Sequence, residues 1–452
     1  MAIPYETAVI EDFATGYGTK SVSMPGGGSA TGNKVNRGNI PAPTSRCGTV
    51  HVYPPTTYVG KSIVYAPDGS EVSTSGSTTS GLQEAITYAA NNGYDIHIHG
   101  GDEAPAGGGG SVVYNMGATA TLDWPAMQGK SIIIDACTIN FPGSGGETCM
   151  RFDSCMMVHF TWRGGQIASS RTGNSLLFDP RTNVPLDAVK AIIDSKFDFS
   201  GTAVASTNAS AVAQVRFRTN TGDITHSEFF FSEINGGISA IQVDKPTGAF
   251  AFAYNRIACR HAHGQYGTSP IVLVGDSAGA TNAQIRDNFW DLHIEKEATG
   301  GGDGFLTRAT RDRGLICLAG IANTQIDVMF QDQAALCDLE LATDTTVADY
   351  ATVVSDTSTA KNNRISGLPV RARITPGVGA SPYVYPADSN DELLPRDHQF
   401  LVTGGTVSVI AVSFDGGSTW DTTGATSGMF LHTPGIRHRI TYSVAPTIVA
   451  HV

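Results

Sequence analysis

Residues 81–101, GLQEAITYAANNGYDIHIHGG, contain the clearest change of local structure in the sequence. Four apolar residues recur at the spacing of one helix face: Leu82, Ala85, Ile86 and Ala89. Ser80 and Gln83 have the spacing of a capping box, and the Asn-Asn-Gly that ends the pattern favours a left-handed stop. Ile96 and Ile98 then alternate with histidines, as in a strand with one apolar face. We therefore predict a helix of about 11 residues and then a strand.

A helix followed by a strand begins two different kinds of fold. In an α/β enzyme more helices would follow, and the sequence His99-Gly100-Gly101 could contribute to an oxyanion hole. In a parallel β-helix, a single helix precedes a long series of strands that stack on one another. The sequence beyond residue 101 separates these two alternatives.

Short apolar segments, not helices, fill the middle of the chain. Between residues 111 and 368 there is no second convincing amphipathic helix, and the nearest candidates, 187–193 and 332–343, are short and weakly periodic. Because parallel strands of an α/β sheet need helical crossovers, we predict instead a coil of parallel strands. At roughly 22–28 residues and ~4.8 Å per turn, about ten turns would make a rod ~50 Å long.

Strand alternation fits a rod with a dry interior and a wet surface. The segment FWDLHIEKE, residues 289–297, is one example. Its large apolar residues share one parity: Trp290, Leu292 and Ile294. Its polar residues share the other: Asp291, His293 and Glu295. A strand with this pattern has one face in the core and one in water.

The composition limits the classes of function. The 452 residues carry a net charge of −12, with 15% charged residues and 52 glycines. An acidic chain is a poor partner for a phosphate backbone, so we expect no nucleic acid ligand. No apolar run approaches the ~20 residues of a membrane span, so we expect no membrane insertion. The N-terminal residues lack the basic and apolar regions of a signal peptide, which favours synthesis in the cytoplasm.

Changes in composition divide the chain into four predicted parts. Residues 1–75 are rich in turn formers and are interpreted as an extended arm. Residues 76–370 contain the series of short strands, and residues 371–396 are a proline-rich linker. Residues 397–452 are interpreted as a small β domain, because TVSVIAVSF and TWDTTG form a hairpin around the turn DGGS.

The capping segment carries a resemblance to a known family. STTSGLQEAITYAANNGYDIHIHGG resembles the N-terminal end of the pectate-lyase-like right-handed β-helix, with its polar cap, alanine-rich helix, Asn/Gly stop and first strand. A chain of this type with a polar N-terminal arm looks most like a phage tail spike. The C-terminal unit looks like the small β domains that end such spikes. One departure is HGGDEAPAGGGG after the first strand, where a proline-containing turn is usual.

The resemblance implies an all-β fold, a right-handed parallel β-helix with an N-terminal capping helix and a small C-terminal β domain for trimerisation or ligand binding. It implies a homotrimer located in the virion, with the N-terminal arm attached to a tail or head protein. It implies that the spike binds bacterial cell-surface polysaccharide for host adsorption, and many relatives cleave that glycan as hydrolases or lyases. The alternatives are a structural or binding fibre with no catalysis, and a free polysaccharide lyase or hydrolase.

Paired carboxylates are the chemistry that a glycan-cleaving rod would use, because one acid protonates the leaving oxygen while the other activates water or attacks carbon. Three acids are therefore the predicted catalytic residues: Asp287, Asp291 and Glu295. Phe289 is predicted to stack on sugar and His293 to bind it. Further acid pairs are Asp194 with Asp198, and Glu228 with Glu233. The competing interpretation for every pair is a solvated strand face.

The segment CRHAHGQYGT supplies further predicted substrate-binding residues: His261, His263 and Tyr266. The two histidines lack a clear third ligand in the sequence, and the seven cysteines are scattered without a C-x-x-C pair. We therefore expect no metal site, no cofactor and no disulfide framework, and predict buried free thiols.

One serine motif suggests an esterase. Gly275-Asp276-Ser277-Ala278-Gly279 matches G-x-S-x-G after a strand, as in a nucleophile elbow. That chemistry requires a helix behind Ser277 and then an acid and a histidine. A loop and a strand follow instead, and no later Asp-x-x-His is present. We predict that this motif is a turn between strands.

Overall fold

The computed structural model describes residues 20–23, 29–32, 48–54, 62–100, 112–185, 187–208, 210–264, 269–296, 303–319, 326–343, 354–360, 362–367, 371–374, 376–377, 379–386 and 397–451. Five short strands precede one α-helix: β1 (Lys20–Ser23), β2 (Ser29–Gly32), β3 (Thr49–Tyr53), β4 (Ile63–Tyr65) and β5 (Glu71–Val72). The helix, α1 (Leu82–Asn92), has 11 residues. No described helix has the length and apolar character needed to cross a membrane.

A long series of strands follows α1. In chain order they are β6 (Asp95–Ile98), β7 (Val112–Asn115), β8 (Leu122–Trp124), β9 (Met127–Gln128), β10 (Ser131–Phe141), β11 (Met150–Phe152), β12 (Cys155–Met156), β13 (His159–Ser169), β14 (Leu176–Phe178), β15 (Ala191–Ile193), β16 (Lys196–Ser206), β17 (Ala213–Phe217), β18 (Asp223–Thr225), β19 (Glu228–Asn235), β20 (Ser239–Val243), β21 (Phe252–Ala253), β22 (Arg256–Gly264), β23 (Val272–Val274), β24 (Ile285–Arg286), β25 (Phe289–Lys296), β26 (Phe305–Thr307), β27 (Arg313–Ala319), β28 (Val328–Phe330), β29 (Asp338–Thr343), β30 (Val354–Asp356) and β31 (Arg364–Ser366).

Three sheets contain these strands. Sheet I has fourteen strands in the order β31-β29-β27-β25-β22-β19-β16-β13-β10-β6-β3-β4-β5, with β7 also paired to β10. Sheet II has nine, in the order β30-β28-β26-β23-β20-β17-β14-β11-β8. Sheet III has six, in the order β24-β21-β18-β15-β12-β9.

The chain passes through the three sheets in a repeating order. From β8 to β25 it visits sheet II, sheet III and sheet I in turn, and we name each such passage a circuit. Each strand pairs in parallel with the strand one circuit earlier. Paired residues are 24 positions apart for Trp290 and Gly314 and 37 apart for Phe160 and Phe197. The protein is therefore all-β with long parallel sheets, which is compatible with the predicted β-helix.

Stacked side chains fill the interior. On sheet I the inward residues of successive circuits pair in register: Ile132, Phe160, Phe197, Phe229, Ile257 and Trp290. On sheet II the ring centroids of Trp124, Phe152, Phe178 and Phe217 follow one another at 5.8, 4.9 and 5.0 Å. The described cysteines are free, and all except Cys317 are buried, as predicted. Truncating one such ring to alanine would cost about 3–5 kcal/mol.

A column of buried polar side chains, here named the polar ladder, immediately precedes successive strands of sheet I. Its members are Ser195, Ser227, Asn255, Asn288 and Asp312. Each side chain after Ser195 accepts a hydrogen bond from the backbone N–H of the member one circuit earlier. The distances are 3.2 Å for Ser227, 3.1 Å for Asn255, 3.1 Å for Asn288 and 2.9 Å for Asp312. The residue before each member has a positive φ, between 50° and 59°. The ladder thus satisfies buried amides where each circuit turns sharply into sheet I.

The predicted helix and strand of residues 81–101 are confirmed as α1 and β6. The four predicted apolar residues of α1 are buried, and Gly93 ends the helix in the left-handed conformation, with φ 68°. The predicted capping box is wrong, because Gly81 occupies the cap position and Thr79 Oγ1 accepts the Gln83 N–H at 3.2 Å. The Gln83 side chain instead bonds the backbone of Asp123 in β8, which attaches α1 to sheet II.

The two weak helix candidates contain strands instead of helices. Ala191–Ile193 is β15 and Asp338–Thr343 is β29, each paired in parallel within its sheet. In the described residues, α1 is the only α-helix. Ser277 is followed by a short 3-10 helix, Ala280–Gln284, and its carbonyl accepts a hydrogen bond from Asn282 Nδ2. The serine lies in a turn between β23 and β24, as predicted.

The C-terminal residues form two antiparallel four-stranded sheets. Their strands are β32 (Arg371–Ile374), β33 (Tyr383–Tyr385), β34 (His398–Thr403), β35 (Thr406–Ser413), β36 (Asp421–Thr422), β37 (Gly428–His432), β38 (Arg437–Val444) and β39 (Thr447–His451). The sheet orders are β32-β39-β34-β37 and β33-β38-β35-β36. The predicted hairpin is the pair β35 and β36, and two strands of the proline-rich segment, β32 and β33, join these sheets.

Candidate functional site

The outer face of sheet I presents polar and aromatic side chains in rows that cross the strands. One row, in register from β16 to β29, contains Asp198, Phe230, Ala258, Asp291, Leu315 and Glu340. The row two residues earlier contains Lys196, Glu228, Arg256, Phe289, Arg313 and Asp338. Neighbouring members lie about 4.8 Å apart, because that is the spacing of strands in a sheet. Acidic, basic and aromatic groups therefore alternate over this face.

A cleft of about 590 Å³ lies across these rows and is named the sheet I cleft. The Arg256 guanidinium carbon lies 5.5 Å from the Phe230 ring centroid and 5.9 Å from that of Phe289. Lys196 Nζ lies 5.1 Å from the Phe230 centroid. Phe289 is 44% exposed. The cleft thus offers aromatic surface beside cations and carboxylates, which suits a ligand with both apolar faces and hydroxyl groups.

Asp287, a predicted catalytic residue, lies outside β25 at a position with φ 58°. Its two carboxylate oxygens accept hydrogen bonds from Arg311 Nε and Nη2 at 2.8 and 2.7 Å. These bonds lower the pKa of Asp287. A carboxylate held in this bidentate pair has few lone pairs left for substrate.

Asp291 and Glu295 lie on the exposed side of β25 but apart from each other. Four residues along a strand span about 13 Å, whereas the carboxyl groups of glycosidases are about 5–9.5 Å apart. Asp291 lies in the sheet I cleft, 4.0 Å from Arg256 Nη2. Glu340, which the sequence analysis did not select, is two strand spacings from Asp291 in the same row, or about 9.6 Å. Only the register between β25, β27 and β29 reveals this pair.

Four predicted residues do come together beside the cleft: His261, His263, His293 and Glu295. His261 Nε2 contacts Glu295 Oε2, and His263 Nε2 lies 2.9 Å from His261 Nδ1 and 3.5 Å from Glu295 Oε2. The bond to His261 lowers the pKa of Glu295. The expectation that these histidines lack a third ligand is wrong, because the parallel register places Glu295 opposite His263. Tyr266 lies outside the described residues.

A second cleft, of about 710 Å³, lies on the outer face of sheet II and was not predicted. Its arginines are Arg151, Arg181, Arg216 and Arg218. Arg216 Nε and Arg218 Nε lie 2.7 and 3.2 Å from the two oxygens of Asp244. Arg218 also lies 3.8 Å from Asp179, whose pKa is raised by burial. The sequence did not predict this cleft, because its arginines lie on or near β11, β14 and β17, strands that are about one circuit apart along the chain.

The other acids proposed from sequence have separate neighbours. Glu228 pairs across strands with Arg256, and Glu233 with His261. Asp194 is exposed at a turn with φ 50°, whereas Asp198 lies in the sheet I cleft. Among the described residues, no contact joins Asp194 to Asp198 or Glu228 to Glu233, the two pairs predicted from the sequence. The sheet I cleft is therefore the place where most of the candidate chemistry gathers.

No family model and no curated protein matches the chain.

Proposed function

We propose that this chain is a virion-attached spike or fibre that binds bacterial cell-surface polysaccharide during host adsorption. The fold proposed with it is a right-handed parallel β-helix, closed at its first circuit by α1 and assembled as a homotrimer. Of the predicted arm, residues 1–75, the part before β3 would attach the spike to a tail or head protein, because β3, β4 and β5 belong to sheet I. The C-terminal β domain would assist trimerisation or ligand binding. The sheet I cleft, with Phe230 and Phe289 beside Arg256, is the observation that supports glycan binding best.

A polysaccharide suits this cleft for three physical reasons. The strands of sheet I are long, and their exposed face offers a surface on which an extended chain can lie across several circuits. Phenylalanine rings can pack against the apolar faces of sugar rings. Arg256, Lys196 and Asp198 can hydrogen-bond hydroxyl or carboxylate groups along the edges. The protein's acidic charge disfavours binding of a polyanion over its whole surface, whereas Arg256 and Lys196 give the sheet I cleft local cationic groups that can contact a glycan.

Cleavage at the same face is the second part of the proposal. The predicted catalytic trio does not lie within hydrolytic distance as a set, and Asp287 is held by Arg311. Asp291 and Glu340 lie in one row with their backbones two strand spacings apart, close to the upper end of the roughly 6.5–9.5 Å between the carboxyl groups of inverting glycosidases, which leaves room for water between base and sugar. We therefore assign cleavage, where it occurs, to Asp291 and Glu340. A spike without catalysis would use the cleft for binding alone.

Purified protein can be tested against bacterial capsule and lipopolysaccharide with a small set of variants. Phe230→Ala and Arg256→Ala should weaken binding about tenfold or more, since central aromatic and arginine contacts dominate such interfaces. Tyr65→Ala is the matched control, because Tyr65 is an aromatic residue of sheet I that is 38% exposed on β4, near the other end of the sheet from the cleft. Asp291→Asn should abolish release of new reducing ends, while Asp338→Asn, a second exposed acid of sheet I, should not.

Two outcomes would contradict the proposal. Binding that survives both cleft variants would exclude the sheet I cleft as the glycan site. A chain that sediments as a monomer and binds no surface glycan would exclude the spike itself. Binding without any new reducing ends or unsaturated uronate would leave a binding spike and remove the enzyme.

A further inference from the structure

A second group of histidines lies at the other end of sheet I, away from the sheet I cleft. His51 on β3 pairs in register with His97 on β6, and His99 follows two residues later on the same face. The His97 and His99 ring centroids are 3.8 Å apart, and those of His51 and His99 are 5.3 Å apart. All three side chains are half-buried. Parallel pairing of β3 with β6 has therefore gathered three imidazoles from residues 48 positions apart in the chain.

The nitrogen atoms have the spacing of metal ligands. One ring nitrogen from each histidine lies within 4.8 Å of the others. His51 Nδ1 and His99 Nε2 are 3.0 Å apart. Two imidazole nitrogens at 2.0–2.1 Å from a tetrahedral zinc ion are about 3.3 Å apart, so a shift of a few tenths of an ångström would accommodate the ion.

A carboxylate orients the third ring. Asp135 on β10 lies with Oδ2 2.5 Å from His97 Nε2. When the His97 Nε2–H donates to a carboxylate, Nδ1 is left as the ligand atom and becomes more basic, as in carboxylate–histidine–zinc arrangements. The Tyr53 ring stacks on the His99 ring at 4.4 Å with a 2° interplanar angle, which restricts the rotation of His99. The group is thus held in place by contacts outside the three histidines.

Neutral imidazole is the form of histidine that binds metal, and thiolate would be the competing ligand. The nearby thiol of Cys137 is buried within the core and its pKa is raised by burial, so it does not compete as a thiolate ligand.

We propose that His51, His97 and His99 bind a divalent transition metal ion, with zinc as the best fit, and that water completes the coordination. Three imidazoles without thiolate suit zinc, copper or nickel rather than magnesium or calcium, which prefer oxygen ligands. Since β3 and β6 each contribute ligands, the ion would join the first two parallel strands of sheet I. This site is independent of the glycan function proposed above and concerns the opposite end of the sheet.

The site would couple metal to stability in the N-terminal part of sheet I. A ligand that binds only the folded state raises the free energy of unfolding by RT ln(1 + [L]/Kd). β3 has β4 as its other neighbour, and β4 and β5 are short antiparallel strands. Metal should therefore protect β3 to β6 against opening more than the later circuits, which is measurable by amide hydrogen exchange.

The test uses the full chain, freed of metal and titrated with Zn²⁺, and with Co²⁺ as a spectroscopic probe. The wild type should bind zinc and show the visible absorption of tetrahedral cobalt. His51→Gln and His99→Gln should each weaken binding at least 100-fold, and Asp135→Asn about 10–100-fold through the outer shell. His226→Gln is the matched control, because His226 is exposed in a turn and contacts only the Tyr254 ring among described rings. It should bind as the wild type does.

The histidine cluster beside the sheet I cleft is the competing location for a bound zinc ion. His263→Gln alters the cluster of His261, His263 and Glu295 and should leave zinc at His51, His97 and His99 unchanged. Failure of the wild type to bind zinc would overturn the proposal. So would binding that is lost in His263→Gln and retained in both His51→Gln and His99→Gln. Two bound ions would support the proposal if one is lost in His51→Gln and His99→Gln and the other is lost in His263→Gln. Circular dichroism of every variant separates lost binding from lost folding.

Discussion

Asp244 and Asp312 are both buried carboxylates, but their partners differ in charge. Asp244, at the end of a sheet II strand, contacts the guanidinium groups of Arg216 and Arg218. Asp312, in the polar ladder, accepts hydrogen bonds from Trp290 Nε1 at 2.7 Å and from the Asn288 amide at 2.9 Å. Both of these donors are neutral. The comparison shows that two carboxylates with similar burial can have partners of quite different charge.

Strand length explains the difference between the two regions. The strands of sheet II have three to five residues, and β14, β17 and β20 are each followed directly by a charged residue: Asp179, Arg218 and Asp244. Those charges of neighbouring circuits meet and compensate one another. The polar ladder instead lies at the sharp turn into sheet I, where small neutral groups fit. Asp312 is the member that breaks this neutral pattern.

The largest expected effect is the pH dependence caused by Asp312. Burial raises its pKa to about 7, well above that of an aspartate in the unfolded chain. The folded state therefore binds this proton more tightly, so the contribution of Asp312 to the free energy of unfolding should be fully present below about pH 4 and fall by about 4 kcal/mol as the pH rises to 7. Asp312→Asn should remove this component and leave a flatter profile between these pH values.

Chemical denaturation of wild type and Asp312→Asn at several pH values measures this component. Ser227→Ala changes a ladder member that has no described hydrogen bond to Asp312, adds or removes no titrating group, and should keep the wild-type slope. Identical slopes in wild type and Asp312→Asn would show that Asp312 does not titrate in this range and would weaken the comparison with Asp244.

Asp244→Ala should have the next largest effect, a loss of about 3 kcal/mol in the free energy of unfolding at pH 7. Two arginines would then remain partly buried without their shared counter-ion, and such an uncompensated charge is strongly destabilising. The Arg216 and Arg218 side chains are only 19% and 29% exposed. Urea unfolding at neutral pH measures the loss, and a change below 1 kcal/mol would show that water already compensates these charges.

Asp291→Ala should have the smallest effect on stability, within about 0.5 kcal/mol. Asp291 and Arg256 are about half exposed and 4.0 Å apart, and pairs of this kind contribute little. Urea unfolding at neutral pH measures this change in the free energy of unfolding. A loss comparable to that of Asp244→Ala would mean that the sheet I cleft is a structural element and would argue against its use for a ligand.

The local features of the fold were predictable, and the contacts between circuits were not. The periodicity of Leu82 to Ala89 and the alternation around Trp290 depend on neighbouring residues, so they can be read from short windows. The pair His263 with Glu295 depends on a circuit length, and paired residues of successive circuits are between 23 positions apart (Phe305 and Val328) and 39 apart (Leu176 and Val215). For the same reason Glu340 and the arginines of sheet II were missed. A resemblance could suggest coiled strands, but only the register places particular side chains together.

The polar ladder gives the chain a direction during synthesis. Each buried amide of the ladder is satisfied by the side chain of the following circuit, as the Ser227 amide is by Asn255 and the Asn255 amide by Asn288. On a growing chain the newest circuit therefore always carries one buried amide that awaits its acceptor. The circuits therefore depend on one another in one direction, each on the circuit that follows it in the chain.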